Sequence, residues 1–148
     1  MVKKTITGDG MLPPRRKLGI NLVHTFNWVY ERSQLFFAGY GLTSQQYNVL
    51  KILYDAGQPL STSEILEEMI EKNAGVSRLV DRLIQKQLMQ KEMSATDKRR
   101  IDASLTEKGT LLYLEVTHHL KKVDAVYRAL TDKEVATLNR LLDKIRTA

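Results

Sequence analysis

The chain has 148 residues, 43% hydrophobic and 27% charged. That is the balance of one globular domain with a core of its own, and no apolar run approaches the ~20 residues of a membrane span. The absence of cysteine excludes disulfides, thiol redox and thiolate metal sites, three histidines make a metal site or other cofactor unexpected, and the basic N-terminus lacks a secretory apolar region, so a cytoplasmic protein without a membrane partner is expected. The net charge of +6 is concentrated: residues 1–17 sum to +4 and residues 72–100 to +5, residues 18–59 sum to zero, and Leu60 to Glu71 holds four acids and no base, leaving two basic patches that call for an anionic partner.

Residues 1–12 lack periodicity and read as a loose arm, punctuated by Pro13 and Pro14. From Leu18 to Tyr40, apolar residues recur at three- and four-residue steps, predicting a long helix. Its second face, with Val23, Trp28, Tyr30, Leu35 and Phe37, is also apolar, so burial on more than one side is expected, with a second copy of the chain as the natural cover. Capping boxes mark the next starts: Thr43 with Gln46 opens a helix to about Asp55, and Ser61 with Glu64 opens a short one to about Ile70.

A further helix is expected from Asn73 to about Leu88, with Val76, Leu79, Val80, Leu83 and Ile84 on one side and Gly75, Ser77, Arg78, Arg82, Gln85 and Lys86 on the other. An alternative start near Arg78 would make Gly75-Val76-Ser77 the preceding turn; the unbroken apolar stripe favours Asn73. Gly75 then lies in the first helical turn, at a cost of about 1 kcal/mol relative to alanine. "MQKEMS" and "IDASL" alternate as strands do, the second with Ile101, Ala103 and Leu105 on one face, joined by "ATDKRR". Thr106 caps a predicted helix to about Leu130, and the Thr131–Glu134 box opens the last, to about Ile145.

Residues 43–105 thus hold three helices and a hairpin, the order of a winged helix-turn-helix whose hairpin carries Asp97, Lys98, Arg99 and Arg100 at its tip. The segment "VSRLVDRLIQKQLMQKEMSATDKRRIDASLTEKG" strongly resembles the recognition helix, wing and following helix of the multiple-antibiotic-resistance regulator (MarR) family, and "LTSQQYNVLKIL" resembles its second helix. The resemblance spans essentially the whole chain in element order. It implies one mostly α domain over residues 1–148, with dimerisation helices at 18–40 and 106–148 and the DNA-binding region at 43–105. The implied protein is a homodimeric transcriptional regulator, by family habit a repressor, binding a roughly palindromic double-stranded operator.

Carried over by residue, the resemblance makes Asp97 tie down the wing by pairing with an arginine and Arg99 the minor-groove residue, with Lys98 and Arg100 on phosphates. Asn73, Gly75, Ser77 and Arg78 occupy groove-facing positions, and Arg82 either contacts a phosphate or pairs with Asp81. Ser61 and Thr62 are phosphate candidates, capping being the simpler role for Ser61. A small aromatic or anionic ligand is implied between the dimer helices and the winged helix, with His24, Trp28, Arg32 and Tyr47 as candidates; aromatic residues at such spacing also serve simply as dimer core. Catalysis is not expected: Glu64, Glu67, Glu68 and Glu71 read as a solvated face, without a nucleophile constellation or phosphate-cradling loop. His118 and His119 are adjacent and point about 100° apart on a helix, so they cannot share a metal. The rival reading is a winged helix that binds protein rather than a chosen DNA sequence.

Overall fold

The computed structural model describes residues 12–72 and 75–148, so the arm up to Met11 and the expected helix start at Asn73 lie outside the described residues. Helix α1 spans Pro14–Ala38, entered from Pro13 with Pro14 at its first position, where a missing N–H costs nothing. It ends where Gly41 takes a left-handed φ of 71° and the Leu42 amide returns to the Phe37 carbonyl. Helices α2 (Ser44–Ala56) and α3 (Thr62–Glu68) both start at complete capping boxes, Thr43 with Gln46 and Ser61 with Glu64.

Helix α4 spans Val76–Gln85 with Gly75 as its N-cap, later than the expected start at Asn73 and earlier than one near Arg78. Glycine is nearly neutral at an N-cap, so the cost expected of Gly75 inside the first turn does not arise. The helix stops short of Leu88 because Gln87 turns to φ 60°. The Gln87 amide then bonds the Ile84 carbonyl and the Leu88 amide the Leu83 carbonyl, the paired closure of a Schellman motif.

Strands β1 (Met89–Met93) and β2 (Ile101–Leu105) pair antiparallel, from Met89 opposite Leu105 to Met93 opposite Ile101. On the other edge of β2, Leu60 and Ala103 exchange both backbone hydrogen bonds, at 2.8 and 3.0 Å. Ile101, Ala103 and Leu105 share the expected face of β2 but are unequally covered. Ala103 is buried and Leu105 half-buried, but Ile101, paired with Met93 at the wing end of the hairpin, is exposed, while Asp102 on the opposite face is buried.

The single helix expected from Thr106 to Leu130 is also broken. Helix α5 runs Glu107–His118, a short α6 runs Lys121–Asp124, and a 3₁₀ turn covers Ala125–Tyr127. The Thr117 hydroxyl donates to the Tyr113 carbonyl at 2.7 Å, a back-bond that bends helices, and the next amides, His119 and Leu120, reach back only three residues, to Val116 and Thr117. Helix α7, Asp132–Thr147, starts at the Thr131–Glu134 box.

The core sits on α2, which packs against α1, α3, α4, α5 and β2. Val49, Leu50, Ile65, Met69, Val80, Leu83, Met89 and Val116 are fully buried, each apolar side chain of this size contributing about 1.5–3 kcal/mol by leaving water. Beside them Tyr47 stacks between Phe37 and Tyr113 at ring separations of 5.0 and 5.6 Å. This core holds α4 and the hairpin as one unit. Most of α1 and all of α7 lie outside it.

Candidate nucleic-acid interface

Helix α4 divides cleanly between core and solvent. Val76, Val80 and Leu83 are buried, whereas Gly75, Ser77, Arg78, Asp81, Arg82 and Gln85 line its outward side. Arg78 and Arg82, one turn apart, face one cleft with Gly75, Gln45, Gln46 and Glu71. Among the described residues neither has an ion-pair partner, and Arg82 does not pair with Asp81, which meets Lys91 at 3.3 Å. At Gly75 an added Cβ would approach only the Arg78 side chain among the described residues, at 3.9 Å, so no described neighbour requires glycine there.

The helix is anchored at both ends by contacts the sequence did not advertise. Ahead of it, the Gln45 side-chain amide donates to the Tyr30 hydroxyl at 2.8 Å and to Glu71 at 3.1 Å, while Gln34 bonds Ser44. These bonds join α1, α2 and the connection into α4. Behind it, the Lys86 ammonium donates to the Gly41 carbonyl and to Gln46.

Residues 94–100 form a compact loop built on Ser94 and Asp97. The buried Ser94 hydroxyl accepts from the Asp97 amide at 3.3 Å, and the Asp97 carboxylate accepts from the Arg99 amide at 3.0 Å. The Arg100 amide closes the turn on the Asp97 carbonyl and the Ser94 amide on the Arg100 carbonyl, each at 3.0 Å. Asp97 therefore organises the wing through backbone amides, as aspartate does in turns, and not through an arginine side chain as expected.

The arginine that is paired is Arg100, with Asp102 at 2.7 Å and Glu64 at 2.6 Å. Its guanidinium thus has an internal role, held between two carboxylates, that the phosphate expectation did not include. These carboxylates are the partners that sequence reasoning missed. Glu64 reads from the sequence as a cap and as part of a solvated acidic face, and the signal for Asp102 is an acid in the middle of a β-alternation. Lys98 and Arg99 are exposed at the tip and enter no ion pair among the described residues.

At the start of α3, both the Ser61 amide and the Ser61 hydroxyl oxygen are used by the capping box, leaving its hydroxyl proton, while Thr62 is exposed beside it. The Ser61 amide, and after it the Arg100 guanidinium, hold the Glu64 carboxyl below its ordinary pKa.

The four ligand candidates do not form one pocket. His24, Trp28 and Arg32 lie on one stripe of α1, away from the core, the Arg32 guanidinium over the Trp28 ring at 3.5 Å, a cation–π contact satisfied within the helix. Tyr47 is instead in the core, its hydroxyl sharing a 2.8 Å hydrogen bond with Thr117. Desolvation by burial raises the pKa of that phenol. Among the described residues no group of three or more acids, histidines or cysteines is placed to hold a metal, and no helix is long and apolar enough to cross a membrane.

Comparison with known proteins matches this geometry. The MarR family model aligns to residues 42–101, the stretch from the start of α2 to the wing. The chain is 34% identical over 113 residues to the HTH-type transcriptional regulator MgrA of Staphylococcus aureus, covering 76% of each chain. The crystal structure of YusO from Bacillus subtilis is 31% identical, with a TM-score of 0.63 over 89% of this chain and 94% of that one. The fold is also that of a mutant MarR from E. coli complexed with operator DNA, at 24% identity and a TM-score of 0.76 over 87% of this chain and 93% of that one.

Proposed function

The chain belongs to the MarR family, and on that premise we propose that it is a sequence-specific DNA-binding transcriptional regulator that represses by occupying a roughly palindromic operator as a homodimer. One observation carries the reading: the exposed cations Arg78 and Arg82 on α4 and Lys98 and Arg99 on the wing have no acidic partner among the described residues. Cations left unpaired on a recognition helix and a wing tip are what a phosphate-lined groove requires.

In this reading Ser77 and Arg78 meet base edges in the major groove, and arginine has the bidentate geometry for guanine. Arg82, Lys98 and Thr62 meet phosphates, Ser61 offers its remaining proton, and Arg99 enters the minor groove. Gly75 admits the backbone of α4 close to the DNA, with Asn73 just ahead of it. The second subunit covers the apolar stripes of α1 and α7. A small aromatic or anionic effector acts where α1 meets the winged helix, in the cleft lined by Phe37, Tyr47, Asn48 and Lys51, and releases the operator by altering the spacing of the two recognition helices.

Selection of bound sequences from a randomised duplex pool, with the mass in solution measured alongside, tests the proposal. Enrichment of an inverted repeat by a dimer is the expected result. A folded dimer that enriches no sequence would instead promote the protein-interaction reading.

A further inference from the structure

The wing carries two adjacent arginines that the fold uses differently. The Arg99 side chain stands exposed at the tip, in no ion pair among the described residues. Arg100 is turned inward and spans two elements: its Nε donates to Asp102 Oδ1 at 2.7 Å and its Nη2 to Glu64 Oε2 at 2.6 Å. Asp102 exposes only 8% of its side chain, and a carboxylate so placed would be costly without this partner. The same Glu64 oxygen accepts the Ser61 amide at 3.0 Å, so one atom serves both the α3 cap and the ion pair. The next residue of β2, Ala103, is stitched by two backbone bonds to Leu60, immediately before that cap.

We propose that Arg100 is a positioning residue: it clamps β2 to the amino end of α3, so that the wing is held to the helix-turn-helix and Arg99 is aimed at the minor groove from a fixed base. The inference rests on the operator-binding reading above. It divides the wing's cations into Lys98 and Arg99, which meet DNA, and Arg100, which does not. Separately, the Arg100 pKa is raised, by Asp102 first and Glu64 second, as expected of a guanidinium committed to acids. The fork geometry matters, because two different N–H groups reach two different carboxylates, and a lysine ammonium has only one nitrogen to offer.

Glu64→Gln gives the decisive sign. Glutamine at N3 still accepts the Ser61 amide, so the cap survives while the ion pair is lost. If Arg100 only contributed charge toward DNA, removing a neighbouring acid would leave binding equal or tighter. The clamp requires operator affinity to fall, by about two- to fivefold for a partly exposed pair. Arg100→Lys should fall by a similar factor with the salt slope unchanged, and combining the two substitutions should add little.

Equal or tighter binding by Glu64→Gln, together with full function of Arg100→Lys, would make Arg100 a phosphate contact and overturn the clamp. Amide hydrogen exchange in the free protein provides an arm independent of DNA. Ser94, Arg100 and Ala103 amides should exchange severalfold faster in Glu64→Gln than in the unaltered chain. If the unaltered chain selects no operator, the DNA reading fails, and the exchange rates alone decide whether the wing is clamped. Unchanged rates would end the proposal.

Discussion

Among the described residues, every buried side chain lies between Phe37 and Val116, while α7 buries none and α1 buries only Phe37. The two regions do not differ in apolar content. Leu18, Leu22, Phe26 and Leu35 recur along α1, and Leu138, Leu141 and Ile145 share one face of α7, all exposed in the single chain. The middle closes on itself through α2, so its sequence specifies its own partners. The ends present apolar stripes that no described residue covers, and these are the faces the proposed second subunit would bury.

The strongest way to break this contrast is to damage the self-contained middle. An alanine Cβ at Gly109 would lie 2.0 Å from the Leu88 carbonyl oxygen, which accepts the Thr106 amide at 3.1 Å, so backbone would have to give way. Gly109→Ala is expected to cost about 3 kcal/mol, a fall of roughly 6–12 °C in thermal midpoint; a fall under about 2 °C would show that the α4–α5 junction is loose. At the ends, the same contrast predicts an effect on assembly. Leu141→Lys places a charge in the α7 stripe and should weaken the proposed dimer about 100-fold, equivalent to about 2.7 kcal/mol. Sedimentation showing an unchanged dimer would move the interface elsewhere.

The contrast also explains which parts were legible in the sequence. Capping boxes depend on side chains within three residues of each other, and all three expected boxes formed at their expected positions. The α4 stripe was equally visible as a local period. What escaped was non-local or subtle: Arg100 meets an acid 36 residues away, and the helix breaks after His118, where the backbone bonds shorten to three-residue spans. Asp97 was assigned an arginine partner by resemblance, whereas its neighbours supplied backbone amides first. The core role of Tyr47 escaped because its stacking partner Tyr113 is 66 positions away in the chain.

Within the middle, the split between packed and unpaired groups can be sharpened. Arg99→Ala should reduce the salt dependence of operator binding by about 0.9 slope units, the loss expected for one phosphate-linked charge. Arg78→Ala should instead relax the choice of base at one operator position by about 1–3 kcal/mol. A uniform loss on every duplex would reduce Arg78 to backbone positioning. Smaller still is the effect at Gln87, the one described non-glycine residue with positive φ. Gln87→Gly relieves a left-handed side-chain conformation but adds freedom to the unfolded chain, for a net stabilisation of about 0.5 kcal/mol. A lower chemical-denaturation midpoint would mean that the Gln87 side chain contributes more than its strain costs.

The smallest effect tests whether the two regions differ at all in their local chemistry. Glu64 in the middle and Glu134 at the end each close a capping box, and each carboxyl is held below its ordinary pKa chiefly by the backbone amide of its cap residue, Ser61 or Thr131. A depressed folded value means that the folded state favours the carboxylate, so each contribution is complete above the ordinary glutamate pKa and is lost as pH falls through the depressed one. NMR titration should therefore show both carboxyls protonating below the ordinary range, with the Ser61 and Thr131 amides reporting the same midpoints. Only Glu64 has the Arg100 guanidinium as a second cause, so Arg100→Gln should move its midpoint part of the way back and leave that of Glu134 in place. Full return of Glu64 to the ordinary value would assign its depression to the wing and not to the cap; movement of Glu134 would show that the ends are coupled to the middle more tightly than their packing implies.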